Sequence, residues 1–394
     1  MWDIRHFHLL LPYYSILLYS SFCDLVRVNK KDGDYMKKII LTGGGTAGHV
    51  TPNIALVPKL RELGFDIEYV GSYNGMEKQL VEDAGLPYYG ISSGKLRRYF
   101  SVKNFTDPFR VIKGFFEANK LMKTLKPDVV FSKGGFVSVP VVVAAHFNKI
   151  PTIIHESDMT PGLANRIASR FAVKICHTFP ETGASLNGKG VYTGSPIREE
   201  LFKGDRKIAM DMCGFDNSKP ILLVTGGSLG AKAINDVVRM ALPELLEEFQ
   251  VAHLCGHDKY DYSLDGIKGY KQFEYISGEM KDFFAMADLI ISRAGSNSIC
   301  EIAALRKPNI LIPLPARASR GDQILNAASY LKRGISEVLD EDVLSTELLI
   351  MTVKKVYDNR DEYIKAMNDI ASTNGIEKIT DVILSVIPQS FVIG

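Results

Sequence analysis

The sequence predicts an α/β protein with two doubly wound, Rossmann-like domains that face one another across a cleft. Short strand-like runs alternate with longer helical stretches, and the whole alternation restarts near the middle of the chain. Such alternation is typical of parallel sheets covered by helices. Each half opens in the same way, with an apolar strand, a glycine-rich turn and a helix. Ligands bind these folds beyond the carboxyl ends of the strands, so the cleft is the predicted site.

Composition supports two folded domains and excludes several classes of protein. The chain has 394 residues, of which 46% are hydrophobic and 23% charged, as in globular proteins. The formal net charge of +2 gives no indication of a nucleic-acid partner. Its five cysteines form no CxxC pair, so neither a zinc site nor a disulfide framework is predicted, and a reducing compartment is the default.

The predicted division of the chain has four parts. Residues 1–35 form an extension, 36–197 the first domain, 198–370 the second domain, and 371–394 a C-terminal helix whose return to the first domain is left open. Within the extension, the apolar run Leu9–Tyr19 contains Pro12 and is shorter than the roughly 20 residues that span a bilayer. We therefore interpret this extension as lying outside the fold, with a membrane anchor as the alternative and a start codon placed too early as a further option.

Strands are predicted in two series and helices between them. The first series is Lys38–Thr42, Asp66–Gly71, Asp128–Ser132, Thr152–His155 and Lys174–His177. The second series is Ile221–Thr225, Val251–Cys255, Phe273–Ile276, Leu289–Ser292 and Asn309–Pro313. Helices are predicted at Leu56–Leu63, at Val111–Thr124 and from about Lys232.

The first glycine-rich turn, Thr42–His49, allows two interpretations. Its glycines satisfy GxGxxG, and Glu68 follows twenty residues later, as in dinucleotide-binding oxidoreductases. The fingerprint gives no role to His49, and Pro52 is acceptable only in the first turn of a helix. Free N–H groups at the start of that helix suit any anionic ligand.

The second glycine-rich turn, Thr225–Ala231, is a predicted phosphate site to which the Ser228 hydroxyl adds a donor. It lacks the Gly-Lys-Ser/Thr ending of a P-loop, which disfavours ATP hydrolysis. A pair of such turns, one opening each domain, indicates a cleft that binds different ligands from its two sides.

The segment Ser292–Ala304 and the helix beyond it carry the candidate sugar-binding residues. Gly295 is predicted to turn the chain into a helix capped by Ser296 or Asn297. Glu301 lies opposite the apolar face of that helix, where a carboxylate can accept both hydroxyls of a ribose. Gln323 and Asn326 share one helical face and carry amides that suit sugar hydroxyls.

Six motifs in order resemble the MurG family of bacterial peptidoglycan synthesis, within the GT-B glycosyltransferase superfamily. They are Gly44–His49, Lys133–Phe136, His155-Glu156 with Pro161–Asn165, Thr193–Arg198, Gly226–Ala231 and Ser292–Ala304. The resemblance covers the chain from Met36 onward. It implies inverting transfer of N-acetylglucosamine from UDP-N-acetylglucosamine to undecaprenyl-pyrophosphoryl-N-acetylmuramoyl-pentapeptide, at the cytoplasmic side of the cell membrane.

The resemblance also implies roles for individual residues. Thr46, Ala47 and Gly48 would contact the donor, Arg198 and Ser228 the diphosphate, Glu301 the ribose, Ile276 the uracil through its backbone, and Gln323 the sugar hydroxyls. Two positions depart from the family: Ala47 replaces a glycine found in many relatives, and Asp158 replaces an asparagine, so its contact with the donor is in question.

His49 is the nominated general base, because histidine titrates near the working pH. An orienting role for His49 is the alternative, and Glu156 is the reserve candidate. We identify no Asp-x-Asp motif of the kind expected for a metal-held diphosphate, so the sequence requires no metal and no cofactor. His253, Cys255 and His257 alternate along a strand end, but we interpret them as structural because no fourth ligand is evident.

A stretch of basic and aromatic residues, Lys95–Lys126, suits peripheral contact with an anionic membrane surface. A solvated helix with its aromatics in the core is the alternative. Other functions remain open from the residues alone: a UDP-sugar transferase for another lipid such as diacylglycerol, a dinucleotide-dependent oxidoreductase, and a non-catalytic nucleotide-sugar binder.

Overall fold

A computed structural model describes residues 36–94, 103–227, 230–276, 278–371 and 375–387, with the side chains at 103–108, 369 and 371 excluded. The extension 1–35, Ser228 and the basic residues at 95–102 lie outside the described residues. None of the helices described is long and apolar enough to cross a bilayer.

The first domain is built on a parallel sheet in the order β3-β2-β1-β4-β5-β6-β7. Its strands are β1 Lys38–Thr42, β2 Asp66–Ser72, β3 Tyr88–Ile91, β4 Val129–Ser132, β5 Thr152–Glu156, β6 Lys174–His177 and β7 Gly190–Tyr192. Its helices are α1 Thr51–Glu62, α2 Glu77–Asp83, α3 Lys103–Leu125, α4 Ser138–Phe147 and α5 Leu163–Ala168. The central strands are buried along their whole length, as expected for a parallel sheet covered on both faces.

The second domain repeats this plan with a parallel sheet in the order β10-β9-β8-β11-β12-β13. Its strands are β8 Ile221–Thr225, β9 Gln250–Leu254, β10 Tyr270–Phe273, β11 Leu289–Ser292, β12 Asn309–Leu311 and β13 Glu337–Val338. Its helices are α6 Arg206–Cys213, α7 Lys232–Glu248, α8 Met280–Met286, α9 Ser296–Ala304, α10 Asp322–Lys332 and α11 Thr346–Asp358. The fold is therefore the predicted pair of doubly wound domains.

The predicted strand Phe273–Ile276 is displaced by three residues. The observed strand β10 pairs Tyr270 with Val251 and Phe273 with Leu254, and Ile276 follows its end. β10 is an edge strand in which the buried Tyr270 and Gln272 alternate with the exposed Lys271. A search for continuous apolar residues finds strands that are buried on both faces, and it misses an edge strand in which buried and exposed residues alternate.

The last two helices pack on different domains. In α12, Arg360–Ala371, Tyr363 and Met367 join the core of the second domain. In α13, Gly375–Val386, Ile379 and Ile383 join the core of the first domain. A Cβ at Gly375 would lie 2.3 Å from the Ser195 carbonyl oxygen. Helix α13 therefore begins in contact with the segment around Gly194 and Ser195 that leads from the first domain into the second, which we call the crossover. The chain thus crosses between the domains twice.

Candidate active site

The first glycine-rich loop connects β1 to α1 at the carboxyl edge of the first sheet. Gly45 has a φ of 86°, in the left-handed region that favours glycine. The loop is held from below by Glu77, a fully buried carboxylate that accepts from the Gly45 N–H at 3.3 Å and the Ser72 N–H at 2.9 Å. Sequence reasoning did not single out Glu77, whose partners become neighbours only when α2 packs under the loop.

His49 lies at the end of this loop, in the short 3-10 turn Ala47–His49. The Thr46 hydroxyl lies 3.0 Å from its Nδ1. Burial, reinforced by the positive charge of Lys133, lowers the pKa of His49 to about 4. The imidazole is therefore neutral near pH 7, which is the form that can accept a proton.

Glu156 ends β5 and organises the loop that follows. Its buried carboxylate accepts from the N–H groups of Asp158 at 3.0 Å and Gly162 at 3.2 Å, and from the Asn165 amide at 2.8 Å. Burial raises the pKa of Glu156 to about 7. All three partners belong to the first domain, which favours a structural role for Glu156 over its reserve role as base.

Beside Glu156 lies a buried pair of basic side chains that the sequence did not reveal. The Lys133 Nζ is 2.7 Å from His155 Nδ1 and 2.5 Å from Ser157 Oγ. The His155 Nε2 is 2.9 Å from the Gly194 carbonyl oxygen, on the crossover to the second domain. Burial lowers the pKa of His155 well below its usual range, so this imidazole is neutral.

Two asparagines of the second domain contact the first. The Asn297 amide donates to the Gly48 carbonyl oxygen at 2.9 Å, and a Cβ at Gly48 would lie 3.0 Å from that amide. The predicted capping of α9 by Ser296 or Asn297 is wrong, because Gly295 holds the N-cap position with no side-chain cap. The Asn297 side chain is engaged across the cleft instead.

Asn326 makes the second contact between the domains. Its Oδ1 accepts from the Met159 N–H at 3.0 Å, and its Nδ2 donates to Asp158 Oδ1 at 3.1 Å. Burial raises the pKa of Asp158, which also faces Arg320 at 3.6 Å. The amide that the sequence assigned to sugar hydroxyls is therefore occupied by the facing loop in this structure.

Arg198 and Glu301 meet at the base of the cleft. The Arg198 Nη2 lies 3.4 Å from Glu301 Oε1, and the Arg198 Nε is buried without a hydrogen-bond partner among the described residues. Burial raises the pKa of Glu301, and the charge of Arg198 opposes that shift. The crevice around them is lined by Thr51, Pro52, Ser195, Pro196, Ile197, Arg198, Asn297 and Glu301. The cleft thus brings predicted residues of the second domain against the start of α1.

The other predicted donor contacts lie around this cleft. The Gln323 Oε1 accepts from the Leu314 N–H at 2.9 Å. The N–H₂ group of the same amide takes no part in that contact. Thr46 is exposed, and Ala47 is half-buried at the first glycine-rich loop. Ile276 follows β10 at the carboxyl edge of the second sheet. Across the cleft, Gly227 and Gly230 of the second turn have φ values of 83° and 66°, so both require the left-handed region.

Glu68 and His253, on which the oxidoreductase and metal-site alternatives rest, are buried in the domain cores and have polar partners there. Glu68 lies in the middle of β2 and pairs with the Lys38 Nζ at 2.5 Å, so it is not the ribose carboxylate of a dinucleotide site. His253 is buried, with its ring nitrogens 3.0 Å from Tyr270 Oη and 3.0 Å from Asn235 Oδ1. Within the described ranges, no group of three or more His, Cys, Asp or Glu side chains is placed to hold a metal ion.

Family models match both halves of the chain. The glycosyltransferase family 28 N-terminal domain matches residues 39–177, and the glycosyltransferase family 28 C-terminal domain matches residues 221–383. Together they cover the second sheet and all of the first sheet except β7 and the first residue of β1.

Curated relatives are similar over nearly their whole length. Proteins from Lachnospira eligens and Lachnoclostridium phytofermentans are 61% and 58% identical over 349 residues, covering 88% of this chain and 99% and 98% of theirs. Each bears the name UDP-N-acetylglucosamine–N-acetylmuramyl-(pentapeptide) pyrophosphoryl-undecaprenol N-acetylglucosamine transferase.

Solved structures share the architecture. The crystal structure of MurG from Acinetobacter baumannii matches with a TM-score of 0.71 and 28% identity, over 89% of this chain and 99% of that chain. A putative UDP-N-acetylglucosamine 2-epimerase from Listeria monocytogenes matches with a TM-score of 0.66 at 13% identity, over 88% and 96% of the two chains. At that identity the likeness concerns the fold alone.

Proposed function

The chain belongs to glycosyltransferase family 28, and from this premise we propose that it transfers N-acetylglucosamine from UDP-N-acetylglucosamine to the muramoyl-pentapeptide of an undecaprenyl-pyrophosphoryl lipid, with inversion at the anomeric carbon. The observation that carries the proposal is the contact of Asn297 with Gly48. It brings the helix of Glu301 against the loop of His49, so donor and acceptor groups face one cleft.

The donor lies against the second domain in this proposal. Glu301 accepts the ribose hydroxyls, which requires its carboxylate to turn from Arg198 at 3.4 Å toward the ligand. The unpartnered Arg198 Nε then donates to the diphosphate, since a buried guanidinium N–H without a partner is costly. Ser228 and the N–H groups of the second glycine-rich turn complete the anion site.

His49 removes the proton from the acceptor hydroxyl as that oxygen attacks the anomeric carbon, and the UDP oxygen leaves with the bonding electrons. Charge that develops on the departing diphosphate is stabilised by Arg198 and by the N-terminus of α7. His49 is neutral and can accept the proton, and its pKa of about 4 lies below the working pH on which its nomination rested, so it is a weaker base than a free histidine. Thr46, 3.0 Å from Nδ1, orients the ring.

The lipid acceptor requires approach to a membrane, and α3 offers a surface suited to it. Phe109, Ile112 and Phe116 are 74%, 54% and 63% exposed on one face of α3, and Phe147 of α4 is 68% exposed beside them. Exposed basic residues surround these side chains: Arg110, Lys113, Lys120 and Lys123. Apolar side chains interleaved with cations favour an anionic bilayer surface such as the cytoplasmic leaflet, whose surface potential is negative.

Product analysis tests the proposal. The purified chain is incubated with UDP-N-acetylglucosamine and either the lipid-linked muramoyl-pentapeptide or diacylglycerol. The proposal expects the muramoyl lipid to gain the mass of one N-acetylglucosamine residue and diacylglycerol to stay unchanged. Glycosylation of diacylglycerol alone would refute it.

A further inference from the structure

Lys133 is a buried cation for which the proposed mechanism has no use. It follows β4 at the carboxyl edge of the first sheet, and its side chain is 1% exposed. Burying an ammonium is costly. Burial lowers the pKa of Lys133 to about 8, and the nearby carboxylates of Glu156 and Asp158 oppose that shift without either one pairing directly with the ammonium. A cation kept under these conditions needs a reason.

The contacts of Lys133 join three segments of the cleft. Its Nζ donates to His155 Nδ1 at 2.7 Å and lies 2.5 Å from Ser157 Oγ. His155 in turn donates from Nε2 to the Gly194 carbonyl oxygen at 2.9 Å. Gly194 has a φ of 76° and belongs to the crossover between the domains. Because the Gly194 carbonyl can only accept, His155 carries its proton on Nε2 and accepts from the ammonium at Nδ1, so Lys133 is linked through His155 to this interdomain segment.

The same ammonium lies below the interdomain contact and beside the first glycine-rich loop. Ser157 precedes Asp158 and Met159, the two residues that bind Asn326 of the second domain. A Cβ at Gly43 would lie 2.5 Å from the His49 carbonyl oxygen, 3.2 Å from Asn53 Nδ2 and 3.4 Å from the Lys133 Cβ, so Gly43 lies between His49 and the side chain of Lys133.

We propose that Lys133 is a positioning residue for the transfer: its ammonium ties the loop 155–159 and the crossover at Gly194 into one rigid unit and presents a fixed positive charge to His49. This inference rests on the proposed function. It predicts that loss of the charge changes the proton affinity of His49 and the turnover without unfolding the chain.

Charges around His49 set the sign of the expected change. Burial is the largest cause of its lowered pKa, and Lys133 comes next, with Arg320 acting in the same direction. Glu77 and a hydrogen bond to the Gly44 backbone act in the opposite direction. Removing Lys133 therefore raises the pKa of His49 above about 4 while burial keeps it below 6.5.

The test compares Lys133→Met with Lys307→Met. Methionine matches the length of lysine without its charge. Lys307 is a matched control, because its pKa is also lowered by burial and its Nζ donates to two carbonyl oxygens, of Ala285 and Ala287, away from the cleft. The pKa of His49 is measured by NMR titration of its ring protons, and kcat and KM for UDP-N-acetylglucosamine are measured on the same samples.

In Lys133→Met we expect the pKa of His49 to rise, because a positive charge beside it is lost. We expect kcat to fall by about 10-fold or more at an unchanged cooperative melting transition. Lys307→Met is expected to change neither. An unchanged pKa of His49 in a folded Lys133→Met, or an unchanged kcat, overturns the proposal. The titration needs no substrate, so a wild-type chain without transferase activity would refute the proposed function while leaving the coupling of Lys133 to His49 measurable.

Discussion

The side chain of Asn297 in the second domain donates a hydrogen bond to the main-chain carbonyl oxygen of Gly48 in the first, at 2.9 Å. Gly48 directly precedes His49, and Asn297 lies one helical turn before Glu301. This contact therefore brings the nominated base and the ribose carboxylate to facing positions, together with the contacts of Asn326. The absence of a side chain at Gly48 allows the approach, since a Cβ there would already lie 3.0 Å from the amide.

Asn297→Ala is expected to weaken catalysis while leaving the fold intact. A hydrogen bond contributes about 0.5–1.5 kcal/mol net, so we expect kcat/KM for the donor to fall by about 2- to 10-fold. Steady-state kinetics with UDP-N-acetylglucosamine check this. Asn148→Ala is the control, because the Asn148 amide donates to Asn119 and Ala144 away from the cleft. Equal losses in both variants would contradict a role for the Asn297 contact.

Glu301→Gln is expected to weaken donor binding more than turnover. The carboxylate is proposed to accept two hydroxyl groups, whereas the amide offers a single oxygen acceptor. Hydrogen bonds to charged groups contribute about 1.5–3 kcal/mol, so KM for the donor should rise by about 10- to 100-fold. Glu244→Gln, which removes an exposed charge near Lys354, controls for loss of a carboxylate. A KM like that of the wild type would remove Glu301 from the ribose site.

His49→Gln is expected to retain donor affinity and lose turnover. General-base catalysis contributes about 10²- to 10⁴-fold, and glutamine keeps a polar side chain of similar size without a basic nitrogen. Isothermal titration with UDP-N-acetylglucosamine and single-turnover transfer separate binding from chemistry. Wild-type transfer rates in this variant would assign His49 an orienting role only.

The pH dependence of stability reports on the same side chain. The pKa of His49 is lowered from 6.5 to about 4 in the folded chain, so its neutral form stabilises the fold above pH 6.5. That stabilisation is lost as the pH falls from 6.5 towards 4, where only the unfolded chain readily takes up the proton. Urea denaturation at several pH values should show a steeper loss of stability in wild type than in His49→Gln. Parallel curves for the two proteins would contradict the lowered pKa.

Membrane contact is expected to depend on the exposed face of α3. Replacing Phe109 and Phe116 with serine removes apolar surface that is 74% and 63% exposed, so binding to anionic vesicles should fall while the fold is retained. Sedimentation with phosphatidylglycerol vesicles at low salt measures the effect. Phe202→Ser, at an aromatic side chain 57% exposed in the second domain, serves as control. If the double variant sediments like wild type, the membrane surface lies elsewhere.

Most buried strands could be predicted to within one or two residues, and buried polar contacts could not. Lys38–Thr42 and Ile221–Thr225 are continuous apolar runs, and the structure has both as predicted. Glu77 and Lys133 gained their roles from tertiary partners that no local pattern indicates. Asn326 looked like a free amide, yet its partner Asp158 lies in the other domain, 168 residues away in sequence.

The central claim is that one cleft joins a UDP-sugar to a lipid-linked muramoyl acceptor, and the release of UDP tests it most directly. The chain is mixed with UDP-N-acetylglucosamine, and free UDP is followed with and without the muramoyl-pentapeptide lipid. The account predicts that UDP appears at a rate set by the lipid concentration and at most slowly without it. UDP release that is the same in both mixtures, or absent from both, would contradict the account.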